Sequence, residues 1–389
     1  MIRLVYVLLS PTFGMHQYTA DLANRMALSG GGEVHLVTTQ QFPRDRYAPL
    51  VRIHKVAYST GTGLSWQSLR LGELRQIAAA IVALQPDLVH FTGPHLWNVP
   101  LVRYLKRRGI PVIHTIHDLD PHRGTHFGML LHLWNRLIIH YADQILLHGD
   151  QYRGRLLDRG IPPTKVTFTP LMHLFLSHEQ ALMLNELERG LGPADVRITY
   201  EPFVLFFGRL ERYKGVAYLL TAFAQARDAA SFELVLAGPG KLPAFWAGAP
   251  PAGVEVRNRL IGDDEALDLF RRCSLVVLPY VDATQSALIA AAYFFHKPVL
   301  VTRAGALAEY VREEETGFVA EPDHPPSMAR ILVRALTDPA QLQVMGQAGR
   351  AWYDKNRAQE TIALVALYER HATRQSAPAA AGRQLFVQP

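Results

Sequence analysis

Two cations placed just after a short apolar run are the residues of this chain best suited to chemistry. The run extends from Phe203 to Phe207, and Arg209 and Lys214 follow it after a glycine, Gly208. Five apolar residues of this kind predict a strand buried on both faces. In open α/β sheets, ligands bind at the carboxyl ends of the strands. An arginine fork and a lysine point charge suit a diphosphate there, although the residues alone equally fit a strand–helix junction with two solvated cations.

The order Gly-Arg-Leu, a short gap and Lys-Gly resembles a motif of the retaining, nucleotide-sugar-dependent glycosyltransferases of the GT-B fold, also called group 1 glycosyltransferases. In that family the two cations neutralise the donor's diphosphate as it leaves, so the resemblance implies that Arg209 and Lys214 are catalytic. It also implies an α/β architecture in which two Rossmann-like domains face each other across a cleft. The C-terminal domain would hold the donor, and the N-terminal domain the acceptor.

A third candidate, His117, ends the apolar stretch from Ile110 to Ile116. This stretch is similar to the V-x-T-x-H-D ending of the family's N-terminal domain, in which the histidine contacts the transferred sugar. The resemblance therefore implies that His117 is catalytic and faces the same cleft as Arg209. Asp118 and Asp120 form an Asp-x-Asp sequence, which binds manganese in another glycosyltransferase fold. Such a tripeptide arises easily by chance, and we expect no metal site.

The stretch from residue 279 to 311 predicts a strand, a polar loop, an apolar helix, a second strand and a further helix. The start of a helix has free backbone N–H groups and the positive end of the helix dipole, which favour an anion such as a phosphate. Four polar residues there are predicted to bind the donor: Asp282, Thr284, Gln285 and Ser286. The alternative is that Thr284 or Ser286 only caps the helix.

Two glutamates of the family are absent from this stretch. The family has Glu, seven residues and Glu ahead of a Lys-Pro-Val strand, and these positions are Ala283 and Ala291 here. A branch of the family has an Ala-Thr-Gln-Ser loop of this kind, so the resemblance stands. The second glutamate normally binds the donor ribose. Glu309, which matches a later Gly-x-x-x-Glu, is expected to reach the ribose instead, unless it only caps its helix or pairs with Arg303 or Arg312.

Glycines at strand–helix turns complete the candidate site. Gly238 follows the strand predicted from Phe232 to Ala237 and begins a Gly-x-Gly that the family also has; with Gly208 it is assigned to donor binding. Gly14 follows the first predicted strand, Leu4 to Leu9, and is a candidate for an acceptor or phosphate loop. The family usually has a glycine pair at this turn, and a lone glycine can be structural.

Alternating strand and helix patterns place these residues in two domains. A chain of 389 residues is too long for one ordinary core. The predicted parts are an N-terminal domain at 1–175, a linker at 176–201, a donor domain at 202–355, a helix at 356–371 packing back on the N-terminal domain, and a disordered, low-complexity tail at 372–389.

The amino-acid composition restricts the kinds of binding partner that are expected. The net charge of +6 and pI near 9.4 favour nucleotide diphosphates, acidic glycans or an anionic membrane surface. Nucleic acid is not expected, because no run of basic residues is long enough and no nucleic-acid motif is visible. The run from Lys106 to Arg108 suits the carboxyl end of a helix, or forms part of a membrane-facing patch. With one cysteine, Cys273, an intramolecular disulfide is excluded.

No stretch approaches the roughly 18–20 apolar residues of a membrane span, so the expected location is cytoplasmic, with peripheral contact at the inner face of the membrane left open. The expected activity, in polysaccharide biosynthesis, is transfer of a hexose from a nucleoside-diphosphate sugar to a saccharide or lipid-linked saccharide hydroxyl, with retention of configuration. No cofactor is expected beyond that co-substrate. The alternatives are a catalytically degenerate binding subunit, suggested by Ala283 and Ala291, or an epimerase or phosphorylase on the same fold.

Overall fold

The computed structural model describes residues 2–30, 32–58, 71–120, 128–188, 198–227, 229, 231–242 and 251–373. The middle of the predicted linker, 189–197, and nearly all of the predicted tail, from 374 onward, lie outside the described residues. Within the described ranges the chain forms two parallel sheets, one from each half.

The N-terminal sheet has seven strands in the order β3-β2-β1-β4-β5-β6-β7, all parallel. The strands are β1 (Ile2–Leu8), β2 (Gly32–Thr39), β3 (Arg52–Ala57), β4 (Leu88–Phe91), β5 (Val112–Thr115), β6 (Gln144–Leu147) and β7 (Val166–Phe168). The helices of this half are α1 (Phe13–Leu28), α2 (Leu71–Ala83), α3 (Asn98–Arg107), α4 (Gly128–Tyr141), α5 (Asp150–Asp158) and α6 (His178–Glu188), and short 3-10 turns occupy Arg44–Arg46 and Pro163–Lys165.

The C-terminal sheet has six strands in the order β10-β9-β8-β11-β12-β13, also parallel. The strands are β8 (Phe203–Phe207), β9 (Glu233–Ala237), β10 (Val254–Arg257), β11 (Leu275–Leu278), β12 (Val299–Thr302) and β13 (Gly317–Ala320). The helices are α7 (Val216–Ala226), α8 (Asp263–Arg272), α9 (Leu288–Phe294), α10 (Pro325–Thr337) and α11 (Pro339–Thr373), with 3-10 turns at Arg212–Lys214 and Leu307–Tyr310.

The central strands are continuous apolar runs because helices cover both faces of a parallel sheet. Every residue of β4, β5, β6, β11 and β12 is buried. The predicted α/β fold with two Rossmann-like sheets is confirmed.

Each sheet has one point at which the chain reverses the direction in which it adds strands. In the N-terminal sheet this point lies between β1 and β4, and in the C-terminal sheet between β8 and β11. The connections on the two sides of such a point leave the sheet in opposite directions, which opens a crevice at the carboxyl ends of the strands. Residues that follow β8 and β11 therefore lie at one such crevice, where ligands bind in sheets of this kind.

The final helix returns to the N-terminal half, as predicted. It is one continuous helix of 35 residues, α11, and not a separate segment beginning at 356. Its Arg357 donates to Asp21 of α1 at 2.8 Å. Further along, the hydroxyl of Tyr368 lies 3.2 Å from that of Tyr6 and 2.9 Å from Nδ1 of His90. The end of α11 thus completes the core beneath β1 and β4.

The predicted linker is partly helical, because α6 begins inside it. Ser177 and Gln180 bond reciprocally at the start of this helix: the Gln180 amide donates to Ser177 Oγ at 3.2 Å, and the Ser177 amide donates to Gln180 Oε1 at 3.1 Å. This is a capping box, in which two free amide donors are satisfied at once. Among the described helices, none is long and apolar enough to cross a membrane.

Candidate active site

Lys214 lies at the switch point of the C-terminal sheet and is held by a residue from the neighbouring strand. Its Nζ donates to the hydroxyl of Tyr280 at 3.1 Å and lies 4.9 Å from the centre of that ring. Tyr280 follows β11, the strand that pairs with β8. A Cβ at Gly208 would stand 3.0 Å from the same Nζ, so the glycine leaves room for the ammonium group.

Arg209 lies close by in sequence but is far more exposed. Its side chain is 66 % exposed, and its guanidinium pairs with Glu211 at 2.7 Å. An exposed pair of this kind contributes little free energy, so a diphosphate could replace the carboxylate at small cost. The two predicted catalytic cations therefore follow the same strand, one fixed against an aromatic ring and the other open to solvent.

Gly238 supports the same strand end through its backbone. Its φ is 142°, and a Cβ there would lie 2.2 Å from the carbonyl oxygen of Gly208. Only glycine permits the loops after β8 and β9 to approach so closely. Gly238 is thus brought next to Gly208, as expected for two residues of one site.

His117 follows β5 and is buried against other rings. Its Nε2 lies 2.8 Å from the carbonyl oxygen of Thr92, so Nε2 carries the hydrogen and Nδ1 is an acceptor. The ring of Tyr18 packs edge-on at 4.9 Å between centroids, and that of His148 lies at 5.2 Å. Burial lowers the pKa of His117. The ring is therefore neutral near pH 7, with Nδ1 as its acceptor nitrogen.

The residue after His117 connects the two halves. The Thr284 hydroxyl, in the loop after β11, donates to Asp118 Oδ1 at 2.6 Å. The Tyr152 hydroxyl of α5 also reaches across, at 3.4 Å from the carbonyl oxygen of Ala283. The end of β5 in one half thus lies beside the loop after β11 in the other.

Asp118 and Asp120 do not converge on one point. Asp120 pairs with Arg155 of α5, and at 3.9 Å with Arg159, whereas Asp118 receives the Thr284 hydroxyl. Across the residues that the structure describes, no group of three or more His, Cys, Asp or Glu side chains is arranged to hold a metal ion.

The loop from Asp282 to Ser286 is arranged differently from the prediction in one respect. Helix α9 begins at Leu288 and has only seven residues. The Leu288 amide donates to Ser286 Oγ at 3.4 Å, so Ser286 contacts the start of this helix, but the residue at its N-cap position is Ala287. Thr284 instead turns to the N-terminal half. In the described part of the chain, the buried Oε1 of Gln285 has no hydrogen-bond partner.

Glu309 also forms hydrogen bonds between the two halves of the chain. Its carboxylate accepts from the amides of Asp150 at 2.7 Å and Gln151 at 3.2 Å, the first residues of α5. It therefore caps a helix of the N-terminal half, an arrangement that neither the ribose prediction nor its alternative foresaw. Arg303 and Arg312 have other partners, Glu321 at 3.3 Å and Glu315 at 2.8 Å.

Gly14 is not in a turn before a helix but is the second residue of α1, and a Cβ there would meet open space. The backbone thus has no steric need for glycine at this position. Ala283 and Ala291, where the family has glutamates, are both buried. Sequence reasoning missed Tyr280 and Thr92; the one available signal was that each follows a strand at a switch point.

Both halves of the chain resemble known proteins. A family model described as "Glycosyl transferase 4-like domain" matches residues 13–171, and one described as "Glycosyl transferases group 1" matches residues 201–338. The D-inositol 3-phosphate glycosyltransferase of Rhodococcus jostii is 23 % identical over 362 residues, which cover 85 % of this chain and 78 % of the relative. An uncharacterised glycosyltransferase of Methanocaldococcus jannaschii is 28 % identical over 171 residues, which cover 42 % of this chain and 44 % of that relative.

Solved structures share the fold. The sucrose-phosphate synthase of Thermosynechococcus elongatus superimposes with a TM-score of 0.71 at 19 % identity, covering 97 % of this chain and all of that one. HepE of Anabaena, in complex with UDP and glucose, gives 0.68 at 15 % identity, covering 95 % of this chain and all of that one. Because family models of one enzyme class match both halves, the chain belongs to the group 1 glycosyltransferases, and it has their GT-B fold.

Proposed function

We propose that this glycosyltransferase moves a hexose from a nucleoside-diphosphate sugar to a saccharide or lipid-linked saccharide hydroxyl, in polysaccharide biosynthesis. The observation that carries the proposal is the position of Lys214. Its ammonium group lies at the β8–β11 switch point, fixed by Tyr280 at 3.1 Å, with Arg209 nearby on the same strand end. A pair of cations at this place suits a diphosphate better than it suits a neutral ligand.

The positive charge of these two residues suits the bond cleavage in the proposed reaction. When the bond between the anomeric carbon and the phosphate oxygen breaks, its electron pair goes to the phosphate. Cations held in place before this step stabilise the charge that develops, an effect of several kcal/mol in a site that excludes water. Lys214 and Arg209 have this role in the proposal. His117 is neutral and offers Nδ1 to a hydroxyl of the transferred sugar.

Retention of the anomeric configuration is proposed on the resemblance of the Gly-Arg-Leu and Lys-Gly motif to the retaining families. Metal independence is proposed on the two cations, which already balance the diphosphate charge. The separate partners of Asp118 and Asp120 support this second point, because both carboxylates would have to leave existing contacts to ligate one ion.

The relatives suggest which donor to test first. HepE binds UDP and glucose, and two structures with TM-scores of 0.68 and 0.66 are trehalose-phosphate synthases, one of them described as UDP-forming. UDP-glucose is therefore the first donor for an assay. Phosphorylated sugars belong among the acceptors, since the curated relatives act on inositol 3-phosphate.

A degenerate binding subunit is the second candidate, favoured by the buried alanines Ala283 and Ala291. An assay of the purified full chain separates the two. Nucleoside diphosphate release is measured for a panel of nucleotide sugars, with and without acceptors and chelator, and product configuration is read by NMR. We expect turnover that Lys214→Ala lowers about a hundredfold or more. Donor binding by thermal shift without turnover on any acceptor would instead identify a binding subunit.

We also propose that the protein associates peripherally with the inner face of a membrane. The net charge of +6 and a lipid-linked acceptor support this location.

A further inference from the structure

Helix α4 carries apolar side chains on its outer face. Met129 is 87 % exposed, Leu130 is 39 % exposed and Leu133 is 55 % exposed. Leu137 and Tyr141 continue the line at four-residue spacing, so that Leu133, Leu137 and Tyr141 lie one above the other on one side of the helix. We call these five residues the outer stripe. Such a stripe is unusual on a helix that faces only water.

A basic groove runs beside the outer stripe. A cavity of about 590 Å³ lies between α2, α3 and α4, and Leu137 and Tyr141 form one of its walls. Three arginines line it, Arg75, Arg103 and Arg107, and its lining includes no acidic residue. Within the described part of the chain these arginines form no ion pair, although the Arg103 guanidinium lies 5.7 Å from the centre of the Tyr141 ring. Apolar surface and positive charge are thus side by side.

The opposite face of α4 packs against the segment that follows His117. Trp134 donates to the carbonyl oxygen of His95 at 3.1 Å. The side-chain amide of Asn135 donates to the carbonyl oxygens of Asp118 at 3.0 Å and Leu119 at 2.9 Å. One helix therefore has the outer stripe on one side and the segment after His117 on the other. Whatever covers the stripe lies a helix diameter, about 10 Å, from that segment.

We propose that the outer stripe and its basic groove form the surface that docks on an anionic phospholipid bilayer. The exposed apolar side chains would enter the interface between headgroups and acyl chains, and the arginines would bind lipid phosphates. This arrangement rests on the proposed function, because it brings the acceptor side of the cleft to the surface in which a lipid-linked acceptor is anchored.

A second copy of the chain fits the same surface less well. A two-fold symmetric contact places the same patch on both sides. Both copies would bring a positively charged patch to the contact, and the groove lining has no acidic residue to offset the repulsion. An anionic membrane is complementary both to the charge and to the apolar stripe.

The test is flotation of the full-length protein with vesicles of phosphatidylcholine, or of phosphatidylcholine and phosphatidylglycerol in equal parts. We expect binding to the anionic vesicles, weakened by salt, and little binding to phosphatidylcholine. Each of Arg103→Gln and Arg107→Gln should weaken binding about fivefold, which corresponds to about 1 kcal/mol. Leu133→Asp should weaken it further. Matched controls elsewhere are Leu260→Asp, at a leucine that is 79 % exposed, and Arg330→Gln.

Transfer to a soluble acceptor is measured in parallel, and the variants should retain it, which shows that they are folded. Equal binding to both kinds of vesicle, or unchanged binding by Leu133→Asp, would overturn the proposal. So would a dimer in solution that Leu133→Asp dissociates, since a second copy would then cover the stripe. If transfer fails with every donor while vesicle binding follows the expected order, the proposed reaction is wrong and the docking surface stands.

Discussion

The hydroxyl of Thr284 donates a hydrogen bond of 2.6 Å to the carboxylate of Asp118, and this bond joins the C-terminal half of the chain to the N-terminal half. Both residues lie at strand ends, after β11 and β5 respectively. A bond to a charged acceptor contributes about 1.5–3 kcal/mol. Closure of the two halves around a donor would depend on it.

We expect Thr284→Val to lower kcat/KM for the donor about tenfold, because that is the effect of losing one such bond. Asp118→Asn should cost a similar factor, and the double variant should lose little more than either single one. Steady-state kinetics with donor as the varied substrate gives all three values. Thr221→Val is a control at an exposed helical threonine. Fully additive losses would show that the two side chains do not act through one bond.

Loss of either predicted catalytic cation should be severe. We expect Lys214→Ala and Arg209→Ala each to lower kcat about a hundredfold or more, the range seen when one group that stabilises developing charge is removed. Arg212→Ala, on the same turn, is the control and should retain activity. Circular dichroism and the thermal midpoint verify the fold. Activity within a few fold of wild type in both variants would remove the diphosphate assignment.

Tyr280 should act as a positioning residue. Tyr280→Phe keeps the ring beneath Lys214 and removes the hydroxyl that accepts its hydrogen bond. We expect kcat to fall about tenfold, in line with the net value of about 1.5 kcal/mol for a bond to a charged group, while the thermal midpoint changes little. A merely structural tyrosine would show the reverse pattern, with a lower midpoint and unchanged kcat.

Glu309 should contribute to the stability of the contact between the two halves rather than to nucleotide binding. Its carboxylate satisfies two amides at the start of α5, and loss of a helix cap costs about 1 kcal/mol. We expect Glu309→Ala to lower the unfolding free energy by about this amount and to leave the affinity for a bare nucleoside diphosphate unchanged. The control is Glu313→Ala. Calorimetric titration that shows much weaker nucleotide binding would restore the ribose role.

The protein should lose stability steeply in mild acid. Burial lowers the pKa of His16, His95 and His173 to about 4 and that of His90 and His114 to about 3, from 6.5. Below pH 6.5 the unfolded chain binds protons that the folded chain does not. The contribution of each histidine to stability is therefore complete above pH 6.5. It falls below that pH by roughly 1.4 kcal/mol per pH unit, down to about pH 4 for the first three histidines and about pH 3 for the other two.

Urea denaturation at several pH values measures this slope. His114→Asn should reduce the slope by about one proton, since it removes one titrating group. A stability curve that is flat from pH 7 to 5 would show that the buried rings are charged or reach solvent.

The central strands and the residues at their ends were predictable from the sequence because parallel strands with both faces covered are continuous apolar runs. Arg209 and Lys214 could be found because their motif is local. The partner of Lys214 could not, since Tyr280 is 66 residues away and meets it only because β11 pairs with β8.

Contacts between the two halves could not be predicted from the sequence for the same reason. Glu309 and Asp150 are 159 residues apart, and Thr284 and Asp118 are 166 apart; no local pattern indicates either pair. By contrast, the start of α6 had a local signal. Ser177 and Gln180 have the spacing of a capping box. The glycines further along indicate a linker, and the prediction followed those glycines.

The return of α11 to the N-terminal half has a consequence for synthesis of the protein. Domains generally fold as units, and the N-terminal one folds first as the chain emerges from the ribosome. Here Tyr6 of β1 meets Tyr368 across 362 residues. The N-terminal sheet must therefore wait, with part of its apolar surface uncovered, until α11 has been made. Strand β1 thus emerges before the other described strands and is among the last of them to be fully packed.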